Sequence, residues 1–229
     1  DILDIGGEST RPGAAEVPVA EEIARTLPVI RALRAEGIAT PVSIDTRKAP
    51  VAAAALNAGA DIVNDVSALT WDPGLARVTA EAGVPLCLMH AQGTPQTMQA
   101  DPRYGDVLVE VYDWLAARMD HAVAQGVAPD RLITDPGIGF GKTMRHNLTL
   151  LQGLGLFHSL GAPILLGASR KRFIGTISGV EDAGQRMAGS VAVALHAAAQ
   201  GAQILRVHDV AETVQALALW RALTTEETA

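Results

Sequence analysis

Acidic and amide side chains stand where short apolar runs of the chain end, and such side chains can bind a ligand. Asp45, Asn64 and Asp135 each occupy a position of this kind. An acid or amide that emerges from a buried strand costs free energy unless it binds something or is hydrogen-bonded internally. Taken singly, Asp45 also fits a structural role, either in an ion pair with Arg47 or Lys48 or as a helix cap. The repetition along the chain favours the binding role.

Two further segments carry groups suited to an anion. The first apolar run leads into the loop 6–13, which is rich in glycine and hydroxyl residues and contains Thr10 and Arg11. Its backbone N–H groups and guanidinium can hold an anion, although an ordinary solvated turn fits equally well. The three consecutive cations 170–172 stand at a predicted strand-to-helix junction and predict a second anion site.

Other strand-end residues favour a ligand with two different ends. Arg206 and His208 alternate onto one side of an extended segment, so both can meet one ligand. Glycines around Phe140 allow the backbone to approach a flat ligand, although a loop merely tied down by this ring is the alternative. His90 fits a packed, hydrogen-bonded histidine better than a general base. The combined pattern predicts a ligand with a polyanionic end and a flat, donor-rich heterocyclic end.

Short strands alternating with helices must position these residues. Aliphatic runs of three to five residues suit buried parallel strands. Seven such runs cover residues 2–5, 41–44, 61–63, 85–89, 131–134, 163–166 and 203–207. Apolar residues at helical spacing predict helices over 104–125, 187–200 and about 210–223.

This alternation predicts an α/β fold, and two architectures compete for it, an open doubly wound sheet and a closed (β/α)₈ TIM barrel. No glycine-rich dinucleotide fingerprint follows any run, whereas polar residues end nearly all of them. That pattern is typical of a barrel, whose active site draws on many strand ends. We therefore predict one TIM-barrel domain over residues 1–229. About seven of its eight β/α units are visible, and we expect the chain to be truncated at its N-terminus.

Composition excludes several classes of protein. The net charge is −7 and no basic tract is present, so nucleic acid is not an expected partner. Hydrophobic residues form 48% of the chain, yet no stretch reaches the length of a membrane span. The single cysteine, Cys87, lies in an apolar run, which predicts a buried thiol rather than a disulfide or a catalytic group. A cytoplasmic enzyme is expected.

The segments that carry these residues together resemble the motifs of dihydropteroate synthase, the folate-pathway enzyme. They are 4–13, 43–46, 64–66, 135–141, 169–171 and 206–209. Each is weak alone, but they occur in the family's order and span the chain. The resemblance implies that the amine of 4-aminobenzoate displaces diphosphate from 6-hydroxymethyl-7,8-dihydropterin diphosphate. A pterin-dependent methyltransferase and a catalytically silent pterin-binding relative or partner subunit are the alternatives.

The resemblance also implies roles for individual residues. Catalytic roles fall to Thr10, Arg11, Asp45 and Lys171. Binding of the substrates falls to Thr10, Asp45, Asn64, Met89, Asp135, Phe140, Lys171, Arg172, Arg206 and His208. Within this set the pterin ring lies against the acids, Asn64 and Lys171, whereas Arg206 and His208 hold the departing diphosphate. Arg172 stands where relatives carry Ser, and its backbone N–H could still serve the aminobenzoate carboxylate.

Two expectations come from the family alone. Mg²⁺ is the implied cofactor, bound to the diphosphate, and its expected Asn ligand lies in a unit upstream of this sequence. A homodimer through the outer helices is the implied assembly. Because the metal loop and one unit of the barrel are not in the sequence, we expect low activity from these 229 residues.

Overall fold

The fold is an α/β arrangement of parallel strands and surrounding helices, seen in a computed structural model that describes residues 1–11 and 13–224. Pro12 of the first motif and residues 225–229 of the predicted domain lie outside the described residues. The strands are β1 Leu3–Gly6, β2 Val42–Asp45, β3 Ile62–Asp65, β4 Leu86–Met89, β5 Leu132–Asp135, β6 Leu165–Leu166 and β7 Ile204–Leu205. The α/β class predicted from the sequence is confirmed, and each predicted run overlaps one strand, although β1, β2, β3 and β5 extend beyond their runs.

At least one helix follows each strand, and two α-helices stand between β6 and β7. The α-helices are α1 Val19–Ala35, α2 Ala49–Asn57, α3 Gly74–Ala82, α4 Val107–Ala124, α5 Met144–Gln152, α6 Arg172–Ser178, α7 Met187–Ala199 and α8 Val210–Thr224. Short 3₁₀ helices occupy Pro129–Arg131, Leu154–Leu160 and Ala183–Gln185. Helix α4 begins later than its apolar spacing predicted, because the Asp106 carboxylate accepts hydrogen bonds from the N–H groups of Leu108 and Val109 and so caps the helix.

The strands pair in parallel and in chain order. Strands β1 to β5 form one sheet in the order β1-β2-β3-β4-β5, and β6 pairs with β7. A parallel bridge between Thr134 and Ile164 joins the two groups of strands. This sequential order is that of a TIM barrel. Within the described residues no pairing joins β7 to β1, so closure of the barrel is not observed.

Alternation along each strand sends one side chain outward to the helices and the next inward. In β2, Val42 and Ile44 belong to a core cluster shared with the helices α1 to α3. Their neighbour Asp45 therefore faces the interior of the sheet. The same alternation turns Asn64, Asp135 and the other strand-end polar groups inward. The curved sheet thus collects at one end the side chains that the sequence singled out.

Aliphatic packing holds both faces of the sheet. One core cluster lies between β1 to β5 and the helices α1 to α4, and a second lies between β6, β7 and the helices α4 to α7. A third, small cluster lies inside the sheet and comprises Cys87, Ile133 and Leu165, with Ile204 against it. Cys87 is 1% exposed, which confirms the predicted buried thiol. None of the helices in the described part of the chain is long and apolar enough to cross a membrane.

Candidate functional site

The candidate site lies at the carboxyl ends of the strands, inside the sheet. Six inward side chains meet there, namely Asp4, Asp45, Asn64, Met89, Asp135 and Arg206. The interior cluster of Cys87, Ile133 and Leu165 forms an aliphatic floor beneath them. Carboxyl ends of parallel strands are the usual position of active sites in such folds. The arrangement offers hydrogen-bond acceptors above an apolar base.

Asn64 and Asp135 provide the deepest polar groups of the site. Asn64 is 5% exposed and Asp135 is 6% exposed. One Asp135 oxygen, Oδ1, accepts a hydrogen bond of 2.7 Å from the N–H of Gly137. The Asn64 side-chain amide makes no hydrogen bond to any residue that the structure describes. The Asn64 amide and the second Asp135 oxygen, Oδ2, can therefore hydrogen-bond to a ligand that carries ring N–H and carbonyl groups.

Lys171 lies beside this pair. Its ammonium donates a hydrogen bond to the carbonyl of Ile138 and lies 4.5 Å from the centroid of the Phe140 ring. Burial lowers the pKa of Lys171 to about 8, although the nearby Asp135 carboxylate acts to raise it. Burial likewise raises the pKa of Asp135, and Lys171 acts against that shift. An acid, a base and an aromatic ring thus line one wall of the site.

A glycine loop after β5 shapes that wall. Gly137, Gly139 and Gly141 have φ angles of +67°, +83° and +62°, a region that side chains with a Cβ rarely adopt. A Cβ at Gly137 would also collide with the His90 carbonyl. The buried ammonium of Lys142 binds this loop from below, donating to the carbonyls of Gly137 and Phe140 at 2.9 and 3.0 Å. The loop is therefore a rigid support rather than a flexible turn.

His90 is a packed residue, as the sequence indicated. It is 4% exposed, its Nδ1 lies 2.8 Å from the Lys142 ammonium, and its ring makes an edge contact with Trp114. Burial, and then the charge of Lys142, lower the pKa of His90 to about 3. A histidine with so low a pKa is a poor general base near neutral pH.

Arg206 spans the gap between β7 and β1. Its Nε donates to Asp4 Oδ2 at 2.5 Å, and its Nη2 donates to Asp45 Oδ2 at 3.2 Å. Burial, and then the Asp4 charge, raise the pKa of Asp45 to about 7, while Arg206 acts to lower it. Asp4 Oδ1 is buried and has no hydrogen-bond partner among the described residues. Two carboxylates and one guanidinium therefore form a polar rim over the floor of the site.

The remaining predicted residues lie at the outer edge. Thr10 is half-buried and Arg11 exposed, both in the loop after β1. His208 is exposed, and its Nδ1 lies 3.0 Å from the Ser169 hydroxyl. Arg172 opens the seven-residue helix α6 with its side chain in solvent. Their exposure places these residues outside the buried base of the site.

The three consecutive cations 170–172 do not converge on one anion, and that prediction was wrong. Arg170 has a left-handed φ of 59°, which turns successive side chains in different directions. Its guanidinium binds the Asp209 carboxylate. Lys171 turns inward to Ile138 and Arg172 outward to solvent. The cationic character of the turn is therefore divided among three separate places.

One structural alternative for Asp45 was an ion pair with Arg47 or Lys48, and this prediction was also wrong. Arg47 and Lys48 do not pair with Asp45; they bind Glu8, and Lys48 also binds Glu22. Asp45 pairs with Arg206 instead. A role for Asp4 was missed, although its signal was present, since a carboxylate inside the apolar run 2–5 needs a reason to be there.

No cluster of three or more His, Cys, Asp or Glu side chains able to hold a metal ion occurs within residues 1–11 and 13–224. Asp4 and Asp45 both hydrogen-bond to the guanidinium of Arg206, but these two carboxylates are fewer than the three side chains of such a cluster. The described residues therefore do not provide a metal site of their own.

Comparison with known proteins gives a consistent result. The family model described as pterin binding enzyme matches residues 1–208. A dihydropteroate synthase of Synechocystis sp. is 49% identical over 224 residues, which are 96% of this chain and 77% of that protein. A Xanthomonas albilineans dihydropteroate synthase with 4-aminobenzoic acid has a TM-score of 0.93 and 49% identity, and the match covers 98% of this chain and 80% of that one.

A second structure from Xanthomonas albilineans holds the enzyme in complex with 7,8-dihydropteroate. It matches with a TM-score of 0.89 and 46% identity over 98% of this chain and 79% of that one. Sequence identity of this size over most of both chains shows common family membership. This chain belongs to the pterin-binding enzymes and, within them, to the dihydropteroate synthases.

Proposed function

We infer that this protein condenses 4-aminobenzoate with 6-hydroxymethyl-7,8-dihydropterin diphosphate to give 7,8-dihydropteroate and diphosphate. The observation that carries the inference is the layered site. Buried acceptors, Asn64 and Asp135, lie beside Lys171 at the base, while Arg206 and the loop with Arg11 lie at the rim. A flat ring rich in N–H donors suits the base, and a polyanionic group suits the cationic rim.

At the base, the pterin ring is bound by complementary hydrogen bonds. The Asp135 carboxylate and the Asn64 amide oxygen accept from ring amino and N–H groups, and Lys171 donates to a ring acceptor. Met89 and Phe140 supply the apolar contacts. Met89 is 3% exposed and faces the interior next to Gly137, so it can lie against one face of a planar ligand.

The chemical step separates charge along the site. The bond from the pterin methylene carbon to the diphosphate oxygen breaks, and the diphosphate leaves with the electron pair. The amine nitrogen of 4-aminobenzoate forms the new bond to that carbon and loses a proton to solvent. Asp45 stabilises the positive methylene, and Arg206 with His208 stabilises the leaving diphosphate. Because the amine is already a nucleophile, the site needs no strong base.

The second substrate enters from the loop side. Thr10 and Arg11 lie in the loop after β1, above the rim, and the backbone N–H of Arg172 lies at the start of α6. We assign these groups to the carboxylate of 4-aminobenzoate and to the outer diphosphate oxygens. Arg206 donates to Asp4 through Nε and to Asp45 through Nη2, so its Nη1 group can still donate to the diphosphate.

Mg²⁺ is the proposed cofactor, carried into the site on the diphosphate. When bound, it would neutralise charge on the leaving group. Magnesium usually keeps several water ligands and binds through substrate phosphates rather than a protein cage. The described residues provide no ligand set for it. Binding of the pterin diphosphate measured by calorimetry with and without Mg²⁺ tests this role, and equal affinities would count against it.

Two alternatives remain distinguishable by experiment. In a pterin-dependent methyltransferase the bound pterin would donate a one-carbon group, and a silent relative would bind pterin without turnover. The identity of 49% with a dihydropteroate synthase over most of its length argues against the first. The purified protein incubated with both substrates and Mg²⁺ should release diphosphate and 7,8-dihydropteroate in equal amounts, at the low rate expected of these 229 residues, detected by chromatography. Saturable pterin binding without product would instead support the silent relative.

Replacement of Lys171 with alanine should weaken pterin binding by about 10- to 100-fold, because a hydrogen bond to a charged group contributes roughly 1.5–3 kcal/mol. Calorimetry with the pterin diphosphate measures the change. Arg77→Ala is the matched control, since Arg77 is an exposed cation on α3 with 78% of its side chain in solvent. Lys48 is unsuitable as a control, because it is buried in ion pairs and its removal would destabilise the fold. Equal losses in the Lys171 and Arg77 variants would remove Lys171 from the site.

We propose that the protein forms a homodimer through the outer helix α8. Several apolar residues of α8 are exposed, with Leu219 at 63% and Leu223 at 76%. A second copy of the chain is the partner of matching chemistry for this surface. Sedimentation analysis should give twice the monomer mass, and a charged substitution at Leu219 should return the monomer. A monomer at micromolar concentration in the wild type would contradict the assembly.

We also propose that the protein is located in the cytoplasm. Recovery of the protein in the membrane fraction would contradict this location.

A further inference from the structure

Four charged side chains outside the pterin site form a buried cluster, which we call the loop clasp. It consists of Glu8, Glu22, Arg47 and Lys48, whose side chains are 3%, 0%, 7% and 5% exposed. Two acids and two bases make the cluster neutral overall. Buried ion pairs often add little net stability, because desolvation of the charges offsets their attraction. A cluster of this size therefore calls for a role other than stability.

The clasp joins two separate points of the chain. Glu8 Oε1 accepts from the N–H of Val17 at 2.8 Å and from Lys48 Nζ at 2.9 Å, and Glu8 Oε2 accepts from Arg47 Nε at 2.9 Å. Lys48 Nζ also donates to the Val17 carbonyl at 2.5 Å and to Glu22 Oε2 at 2.7 Å. All three ammonium protons of Lys48 are thus used. Both backbone groups of Val17 are held through charged side chains.

Glu8 and Val17 are the two ends of the loop 9–16, which carries Thr10 and Arg11. The described residues of this loop contain no helix or strand. Outside the clasp, two backbone groups of the loop hydrogen-bond to the rest of the protein. The Gly13 N–H donates to the Pro95 carbonyl at 2.8 Å, and the Ala14 carbonyl accepts from the Gln96 side chain at 2.9 Å. We call Glu8 and Val17, the two ends of the loop, its stem. The stem is therefore the firmly held part of the loop.

The same clasp is attached to the pterin site through β2. Arg47 and Lys48 follow Asp45, the last residue of that strand, by two and three residues. Thr46, which lies between Asp45 and Arg47 in the chain, donates a hydrogen bond from its hydroxyl to Glu22 Oε1 at 2.6 Å. The stem of the loop is consequently fixed to the residues that follow Asp45 in the chain, whereas the Asp45 carboxylate itself binds Arg206. A shift of Glu8 would move the loop relative to Asp45.

Glu8 and Lys48 keep their charges near neutral pH. Burial acts to raise the pKa of Glu8, but hydrogen bonds from Arg47, the Val17 N–H and Lys48 outweigh burial and lower that pKa. Burial acts to lower the pKa of Lys48, but hydrogen bonds to Glu22 and Glu8 outweigh it and raise that pKa. Both groups are therefore ionised where the enzyme works.

We propose that Glu8 is a positioning residue for the condensation: it sets the point from which the loop 9–16 carries Thr10 and Arg11 over the pterin pocket. This inference rests on the proposed function. The Glu8 side chain is 3% exposed and its carboxylate is bound by Arg47, Lys48 and the Val17 N–H, so its loss should leave the pterin ring site intact. It should impair the steps that depend on the loop, namely capture of 4-aminobenzoate and of the outer diphosphate.

Glu8→Gln and Glu22→Gln form a matched pair that tests the proposal. Each removes one negative charge from the same buried cluster and leaves the same net positive charge. The Glu8 carboxylate hydrogen-bonds directly to the Val17 N–H of the loop stem, whereas the hydrogen bonds of the Glu22 carboxylate within the described residues are to Lys48 and Thr46. Glu8→Gln should lower kcat/KM for 4-aminobenzoate by about 10- to 100-fold, because displacement of a positioning group by about 1 Å has effects of this order. Glu22→Gln should lower Tm but keep kcat/KM close to the wild-type value.

Two further measurements separate positioning from general destabilisation. Hydrogen exchange of the amides 9–17 should quicken in Glu8→Gln and not in Glu22→Gln. Affinity for a dihydropterin that lacks the diphosphate should be unchanged in both variants. If Glu8→Gln does not fold, Glu8→Asp replaces it, since the shorter carboxylate keeps the charge but cannot bridge Arg47 and Val17.

Equal losses of activity in the two variants, or equal exchange in the loop, would overturn the proposal. Its failure is distinct from failure of the proposed function. Absence of dihydropteroate from the wild-type reaction counts against the function, whereas the exchange experiment reports on the clasp without turnover.

Discussion

Asp135→Ala should weaken binding of 6-hydroxymethyl-7,8-dihydropterin diphosphate by about 10²–10³-fold. The Asp135 carboxylate is 6% exposed and faces the interior of the sheet next to Lys171. Two hydrogen bonds between a carboxylate and ring N–H groups, at roughly 1.5–3 kcal/mol each, account for a loss of this size. The measurement is isothermal titration calorimetry of the purified protein with the pterin diphosphate.

The matched control is Asp120→Ala, which removes an exposed carboxylate from α4. Circular dichroism must show that both variants are folded. The control should bind the pterin as the wild type does. Unchanged affinity in a folded Asp135→Ala variant would mean that the pterin ring does not occupy the base of the site, and the assignment of Asn64 and Lys171 would fail with it.

The value of kcat/KM for the pterin diphosphate should show a narrow bell-shaped dependence on pH. It should rise as pH passes about 7, because Asp45 has to lose its proton before it can stabilise the developing cation. It should fall as pH passes about 8, because Lys171 has to keep its proton in order to donate to the ring. Beyond either limb, each pH unit should lower the value by about tenfold.

Both limbs follow from burial. Burial, together with the neighbouring Asp4, raises the pKa of Asp45, and Arg206 opposes the shift without cancelling it. Burial lowers the pKa of Lys171, and Asp135 opposes that shift. The two groups are therefore ionised together only in the interval between about 7 and 8. Outside it, one of them has the wrong charge.

Two variants identify the residue that causes each limb of the pH profile. Asp45→Asn should lower the maximum and abolish the acidic limb, whereas Lys171→Arg should move the alkaline limb beyond the measured range. The second ionisation of a phosphate group lies near pH 6, so a limb that persists in Asp45→Asn belongs to the substrate. A flat profile between pH 6 and 9 would contradict both assignments.

Much of the site was predictable because its signals are local. Alternation along a strand is a property of the extended backbone, and a carboxylate or amide at the end of a buried run is costly wherever the run packs. Asp45, Asn64 and Asp135 were found in this way, and the structure brings them to one end of the sheet. The sequential order of β1 to β5 agrees with the predicted barrel, since a doubly wound sheet reverses its strand order at a switch point.

Chain order and motif spacing also carried the family resemblance. Motifs dispersed from residue 4 to residue 209 lie at successive strand ends, so their sequence order mirrors their order around the sheet. Identity of 49% with a dihydropteroate synthase confirms the family. The roles of the individual residues remain predictions for the experiments above.

Only the tertiary structure decided which charges meet. Arg206 binds Asp4 across 202 residues of chain, and Arg47 binds Glu8 across 39, whereas nearer acids in the sequence are left to other partners. The adjacent cations of the 170–172 turn diverge because one backbone angle at Arg170 is left-handed. Ion pairs and pKa values depend on distance through space and on burial. Both are set by the packing of helices on the sheet, which sequence spacing does not encode.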